Sequence, residues 1–175
     1  MNGGYLKRYG PSDPGSPELE ALGLRWLGAV AGGVRAARVL RVGQRELELE
    51  RLPNSGPADG APEAFGRALA RTHAAGAPWH GAPPAGWDQP AGSIGLAPMA
   101  FVPAGRAGLP WGEFYATYRV EPYVRLARDA HQFGSGEVAV FEVLCARLAA
   151  GEFDAPQPAL VPGGAARLHG DLWAG

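Results

Sequence analysis

The 175 residues are 46% apolar and 19% charged at a formal net charge of -1, enough for one sizeable core or two small lobes of a globular chain. No apolar run reaches about eighteen residues, so no membrane span is expected, and the opening residues lack the basic-then-apolar pattern of a secretory signal. Balanced charge gives no reason to expect a nucleic-acid partner, and a single cysteine, Cys145, excludes an internal disulfide or a multi-cysteine metal site; a cytoplasmic location fits.

One count stands out. Of the 16 basic residues only Lys7 is lysine; the rest are arginine. In so arginine-biased a chain a lone lysine draws attention, because a compact ammonium can meet a phosphate in a tight site where a guanidinium does not fit. An ordinary surface lysine is the alternative.

Alternation of large and charged side chains over Tyr5-Leu6-Lys7-Arg8-Tyr9 predicts a short strand. Residues 10–17, rich in Gly, Pro and Ser, read as a loop that ends in the helix cap Ser16 with Pro17 behind it. A helix is expected to about Ala29, with Leu19, Leu22, Trp26, Leu27 and Val30 on its apolar face and Glu20 on the flank. A lysine strand followed by a glutamate helix is the kinase-type order, in which the glutamate holds the lysine against the nucleotide phosphates. A solvated helix charge is the plainer reading of Glu20. Two further strands are expected at Arg38–Val42 and Glu46–Arg51, the second alternating cleanly.

Pro53 to Gly60 is the best linker in the chain and suggests a boundary between a small sheet-bearing part, 1–54, and a mainly helical part, 55–175. Helix returns over about Pro62–Ala75, with Phe65, Leu69 and Ala70 expected on the buried side and His73 sharing that face as a structural residue. Residues 76–110 show little periodicity and read as a long loop. His80 there has no second ligand at helical spacing, so no protein-only metal site is expected. A helix is predicted from Trp111 to about Val120, a second from Pro122, and a third carrying Val138, Phe141, Leu144, Cys145 and Leu148 on one stripe. The chain then runs through a Pro-rich stretch into Leu168-His169-Gly170-Asp171-Leu172-Trp173. A glycine-turned loop there offers one carboxylate, Asp171, to a substrate hydroxyl. Neither a dinucleotide-binding nor a Walker-type glycine pattern occurs.

His169 to Gly175, HGDLWAG, resembles the signature of the fructosamine kinases, relatives of the aminoglycoside and choline kinases. Other segments resemble the same family: Glu20-Ala21-x-Gly23-Leu24-x-x-Leu27, the Leu47–Leu52 strand, Phe65-Gly66-x-x-Leu69-Ala70-x-x-His73, Ser93-Ile94-Gly95, and Trp111-x-x-Phe114 through Arg119 to Pro122. The resemblance implies an α+β, protein-kinase-like two-lobe fold and ATP-dependent phosphorylation of a ketosamine sugar hydroxyl, on a small-molecule or protein-bound substrate. Carried over by residue, Lys7 and Glu20 form the nucleotide ion pair, and the backbone of Glu50, Arg51 and Leu52 meets the adenine. Asp171 acts on the substrate hydroxyl, Trp173 packs against the sugar, and His169 braces the loop. In the family the motif continues with an asparagine and, further on, a metal-binding aspartate, which together hold Mg²⁺. Neither those residues nor a phosphate-covering hairpin before Lys7 is present, so the expectation is a fragment without appreciable kinase activity by itself. A sister phosphotransferase of the aminoglycoside or choline type, a non-catalytic nucleotide-binding module and a plain helical interaction domain are the competing readings.

Overall fold

The computed structural model describes residues 3–53, 56, 58–168 and 170. The chain starts with strand β1, Tyr5–Arg8, which leads through an ordered loop into helix α1, Pro17–Gly28. Strands β2, Val39–Val42, and β3, Glu46–Leu49, complete an antiparallel sheet with β3 in the centre, in the order β1-β3-β2. Tyr5 lies opposite Leu49 and Lys7 opposite Leu47. Directly opposed residues share a face, so the Lys7 side chain leaves the sheet on the side where Leu47 and Leu49 are buried. Tyr9 extends the pairing by one residue: its N–H donates to the Arg45 carbonyl at 2.9 Å, and Arg45 Nε returns to the Tyr9 carbonyl at 3.1 Å.

Helix α1 is bonded on two sides, and that changes the reading of its apolar residues. Ser16 caps it by accepting the Leu19 N–H at 3.2 Å, with Pro17 in the first turn. Ala21 and Leu24, with Pro17 one turn earlier, face the sheet and close a core of Tyr9, Leu47 and Leu49 with Ala37 and Val39. The expected stripe of Leu19, Leu22 and Trp26 lies against other parts of the chain: Leu19 meets Gly92, Leu22 meets Gly86, and Trp26 meets Arg167. Period alone finds one apolar face; a helix held between two layers has two.

Helix α2, Ala61–Ala74, forms as expected, but its buried residue is Thr72. Phe65 is 41% exposed and Ala70 is exposed, which corrects the predicted face. The hydroxyl explains why: Thr72 Oγ1 accepts the Val34 N–H at 2.9 Å and donates to the Ala68 carbonyl at 3.3 Å, so α2 is fastened through a polar contact. The expected lobe boundary falls beside residues 54, 55 and 57, which lie outside the described set.

Residues 76–110 are more ordered than their composition suggested. They hold a β-hairpin of β4, Ala91–Ile94, and β5, Ala97–Ala100, joined by Gly95 and Leu96, then a short 3₁₀ turn at Ala104–Arg106. Gly95, at φ 56°, occupies the first central turn position, which favours glycine in tight hairpins. Small residues and a proline in the strands, AGSI and APMA, hid it from a reading based on β-propensity. The Trp87 indole N–H fixes its start through the Ala91 carbonyl at 3.2 Å.

The helical body is one long run in place of the two helices expected: α3, Trp111–Tyr115, a π-helical segment, Ala116–Val120, and α4, Glu121–Asp129. Pro122 has no N–H for the Tyr118 carbonyl, four residues back. That oxygen accepts from Arg119 Nη1 at 2.8 Å, while the Glu121 N–H reaches five residues back to Ala116. The widened turn absorbs the proline and the chain continues. Helix α5, Ser135–Ala149, packs on it through Cys145 and Leu148 against Ala116, so Cys145 is a buried filler. No helix among the described residues is long and apolar enough to cross a membrane.

Candidate active site

Strand period places Lys7 and Tyr9 on one face of β1, and the cap at Ser16 sets the start of α1 so that Glu20, in its first turn, points to the same place. Lys7 Nζ and Glu20 Oε2 are 2.5 Å apart. The Tyr9 hydroxyl donates to that same Oε2, also at 2.5 Å, and its ring centroid is 5.1 Å from the ammonium. Glu20 is therefore no free helix charge. Tyr9 is buried, and that burial pushes its phenol well above the ordinary tyrosine value, with the Glu20 hydrogen bond and the charges of Glu20 and Asp13 adding to it. It stays a protonated donor throughout the neutral range.

The pair opens into a cavity of about 430 Å³. One wall is Lys7, Tyr9, Glu20 and the β1–α1 loop with Asp13 and Ser16; the other is the hairpin tip, Ser93, Gly95 and Leu96. The loop is fixed locally, since Asp13 Oδ1 accepts the Gly15 N–H at 2.8 Å. A second groove of about 460 Å³ lies between α4 and α5, where Val124, Phe141 and Cys145 supply apolar lining. The Lys7 cavity is the smaller, but it is the one with an ammonium, a phenol and hydroxyls converging, and chemistry decides between them.

The other expected site residues are placed differently. Glu50 follows β3, its N–H donating to the Arg38 carbonyl at 2.8 Å. Its carboxylate accepts the Arg38 N–H at 3.0 Å and pairs with Arg35 at 3.0 Å; the first of these contacts is the main reason its carboxyl sits below the ordinary range. Arg51 and Leu52 are exposed, and none of the three lines the Lys7 cavity. Asp171, Trp173 and His169 lie outside the described residues. Among the described residues no cluster of three or more His, Cys, Asp or Glu could hold a metal ion. His80 stacks on Phe114 with ring centroids 5.7 Å apart, and Arg119 lies 4.9 Å over the same ring with Nη1 on the Ala100 carbonyl at 2.9 Å, so both serve packing.

A solved structure from Thermobifida fusca, described as a "putative fructosamine-3-kinase", matches with a TM-score of 0.74 at 35% sequence identity, over 96% of this chain and 53% of that one. That likeness supports assigning the chain to the fructosamine kinase family. The chain spans about half the length of that relative, and its mixed helices and small antiparallel sheets form part of a kinase-like fold. No family model and no curated protein matches it. Sequence reasoning singled out Lys7 and Glu20, which the fold brings into contact, but passed over Tyr9 and the wall provided by the hairpin. Tyr9 was findable, lying two residues from Lys7 on a strand. The hairpin's approach to the ion pair is a tertiary fact with no local signal.

Proposed function

We propose that this chain supplies the nucleotide-binding part of an ATP-dependent kinase that phosphorylates a sugar hydroxyl of ketosamines. The observation that carries the reading is the 2.5 Å Lys7–Glu20 pair on a strand and a following helix, opening into a cavity. An ammonium held at a cavity wall by a carboxylate can meet the α- and β-phosphates of a nucleotide while remaining oriented. The residues fit that group: Lys7 would hold the phosphates and Glu20 would hold Lys7, while Ser16 and Ser93 offer hydroxyls at the cavity wall.

The cavity's charge also bears on the form in which the nucleotide arrives. Lys7 brings one positive charge against two carboxylates, Asp13 and Glu20. A bare triphosphate would meet net repulsion there, so the nucleotide is better accepted with its Mg²⁺, whose charge supports phosphoryl transfer when bound. The described residues offer no cluster of three or more His, Cys, Asp or Glu for that ion. Asp171 is the residue proposed to take or orient the proton of the substrate hydroxyl, with Trp173 against the sugar, on the strength of the family motif. Glu50, Arg51 and Leu52 remain the proposed adenine contacts through their backbone; with the Glu50 N–H engaged by Arg38, their carbonyls and the later N–H groups are what they offer.

Calorimetric titration with ATP and Mg²⁺, beside an assay of phosphate transfer to a fructosyl-amine, tests the reading. ATP binding that weakens at least about tenfold in Lys7→Met is the expected result, and a chain that does not bind ATP sinks it. Offering an aminoglycoside and choline as acceptors in the same assay separates the ketosamine reading from the sister phosphotransferases.

A further inference from the structure

We propose that Tyr9 is a positioning residue for the Lys7 ammonium, its hydroxyl pinning the Glu20 oxygen that holds Lys7 while its ring backs the ammonium. This rests on the reading of Lys7 as the nucleotide-phosphate contact.

Burial accounts for the ring of Tyr9 but not for its hydroxyl. The ring belongs to the core with Ala21, Leu47 and Leu49, and a phenylalanine would fill that space equally well. The hydroxyl is a polar group added to a core ring, and it must find an acceptor. Its acceptor is Oε2 of Glu20, the atom that Lys7 Nζ contacts, both at 2.5 Å. The two ends of the ion pair are long side chains, 41% and 32% exposed, and a pair of that kind loses much of its attraction to side-chain freedom and water. Tyr9 has two torsions and a buried ring, so it holds its oxygen in one place. Through that oxygen it fixes the carboxylate, and through the carboxylate and the ring face it fixes the ammonium. When a phosphate draws Nζ into the cavity, Glu20 keeps a hydrogen-bond partner in Tyr9, so less is lost as the ammonium shifts. The hydroxyl serves the ammonium's position, and the core would stand without it.

Lys7 is the sole lysine, so its reactivity can be read without interference from other side chains. The full chain and Tyr9→Phe are acylated with a small amine-specific reagent, and the rate at Lys7 is followed by peptide mass spectrometry. ATP affinity is measured on the same samples. The expected result is a folded Tyr9→Phe protein in which Lys7 acylates several-fold faster and ATP binds about tenfold more weakly, as for one lost charge-assisted hydrogen bond. An acylation rate or an ATP affinity that does not move overturns the proposal and leaves Tyr9 as a core ring. If the unaltered chain does not bind ATP, the nucleotide reading fails by itself, and the acylation rates still decide whether Tyr9 positions Lys7. Should Tyr9→Phe not fold, the wild-type hydroxyl proton gives the decision. A slowly exchanging tyrosine hydroxyl resonance that vanishes in Glu20→Ala supports the proposal, and its absence from the wild-type spectrum overturns it.

Discussion

Arg167 Nη1 donates to the carbonyl of Trp26 at 2.8 Å while its guanidinium lies 4.3 Å over the Trp26 ring, joining the first helix to the far end of the chain. Trp26 is in the last turn of α1, where carbonyls have no partner within the helix. The same guanidinium donates through Nε to the Gly76 carbonyl at 2.9 Å, just past the end of α2, and the Arg167 N–H reaches His73 at 3.1 Å. One cation thus serves the negative ends of two helices. It does so from a position four residues before Asp171, beside the antiparallel bridge between Ala77 and Ala165.

Arg167→Gln removes the charge, the stacking and at least one of the two carbonyl bonds. The expected cost is about 2–3 kcal/mol in urea unfolding, the range for hydrogen bonds from a charged group. Arg167→Lys is expected to recover less than half, because one ammonium cannot reproduce a planar fork spanning two carbonyls and an indole face. Full recovery by lysine would show that charge alone matters there.

Lys7→Met separates binding from stability. The ion pair is more than a third exposed at its lysine end, so its loss is expected to change unfolding free energy by less than about 1 kcal/mol. ATP affinity is expected to fall at least about tenfold in calorimetry, since a charge-assisted phosphate contact is lost. A large stability loss with unchanged ATP binding would make the pair a structural clasp.

How much of this was readable in the chain depends on the range of the forces involved. Strands and helices defined by local period and capping, from Tyr5 through Pro17–Gly28 and on to Ser135–Ala149, lie within a few residues of expectation. The Lys7–Glu20 pair was legible because a known order of elements brings those two residue types together. What was hidden depends on distant partners. The buried face of α2 is set by Val34 reaching Thr72, 38 residues away. The hairpin at Ala91–Ala100 is built from small residues whose propensity says loop, and it is held by Trp87, Leu19 and Arg119. The run through Pro122 survives because Arg119 takes the carbonyl the proline leaves, which no propensity scale registers. Local rules located the elements, and polar contacts across the fold oriented them.

His80 gives a pH test. Burial pushes its imidazole below the ordinary histidine value, only partly offset by Asp154, so the folded state prefers the neutral ring. The unfolded chain therefore takes up the proton first as pH falls. His80's contribution is complete above about pH 6.5 and is lost progressively below it, as pH falls toward the lower folded-state value. Unfolding free energies from about pH 7.5 to about pH 5 should fall more steeply for the wild type than for His80→Phe, which keeps a ring on Phe114 without a titrating nitrogen. Equal slopes would mean the imidazole titrates alike in both states.

Gly112 is where the helical body is least forgiving. It sits in the first turn of α3, buried against the end of α5, and a Cβ there would run into the carbonyl oxygen of Leu148. Its N–H donates to Asp154 Oδ1 at 2.7 Å, an oxygen that would itself lie 3.1 Å from the added Cβ, so a retreat from Leu148 would cost that hydrogen bond. Leu148 is itself buried, with Ala116 and Cys145, and moving its carbonyl would disturb that cluster. Gly112→Ala should therefore destabilise the chain by about 1–3 kcal/mol, the cost of forcing one methyl into a packed interior, although alanine is the better helix former. A denaturant midpoint that rises on this substitution would show that α3 and α5 can part freely. Asp154→Asn keeps an oxygen acceptor for the Gly112 N–H, and combined with Gly112→Ala it should add little further loss, because the hydrogen bond is strained once the helices have separated.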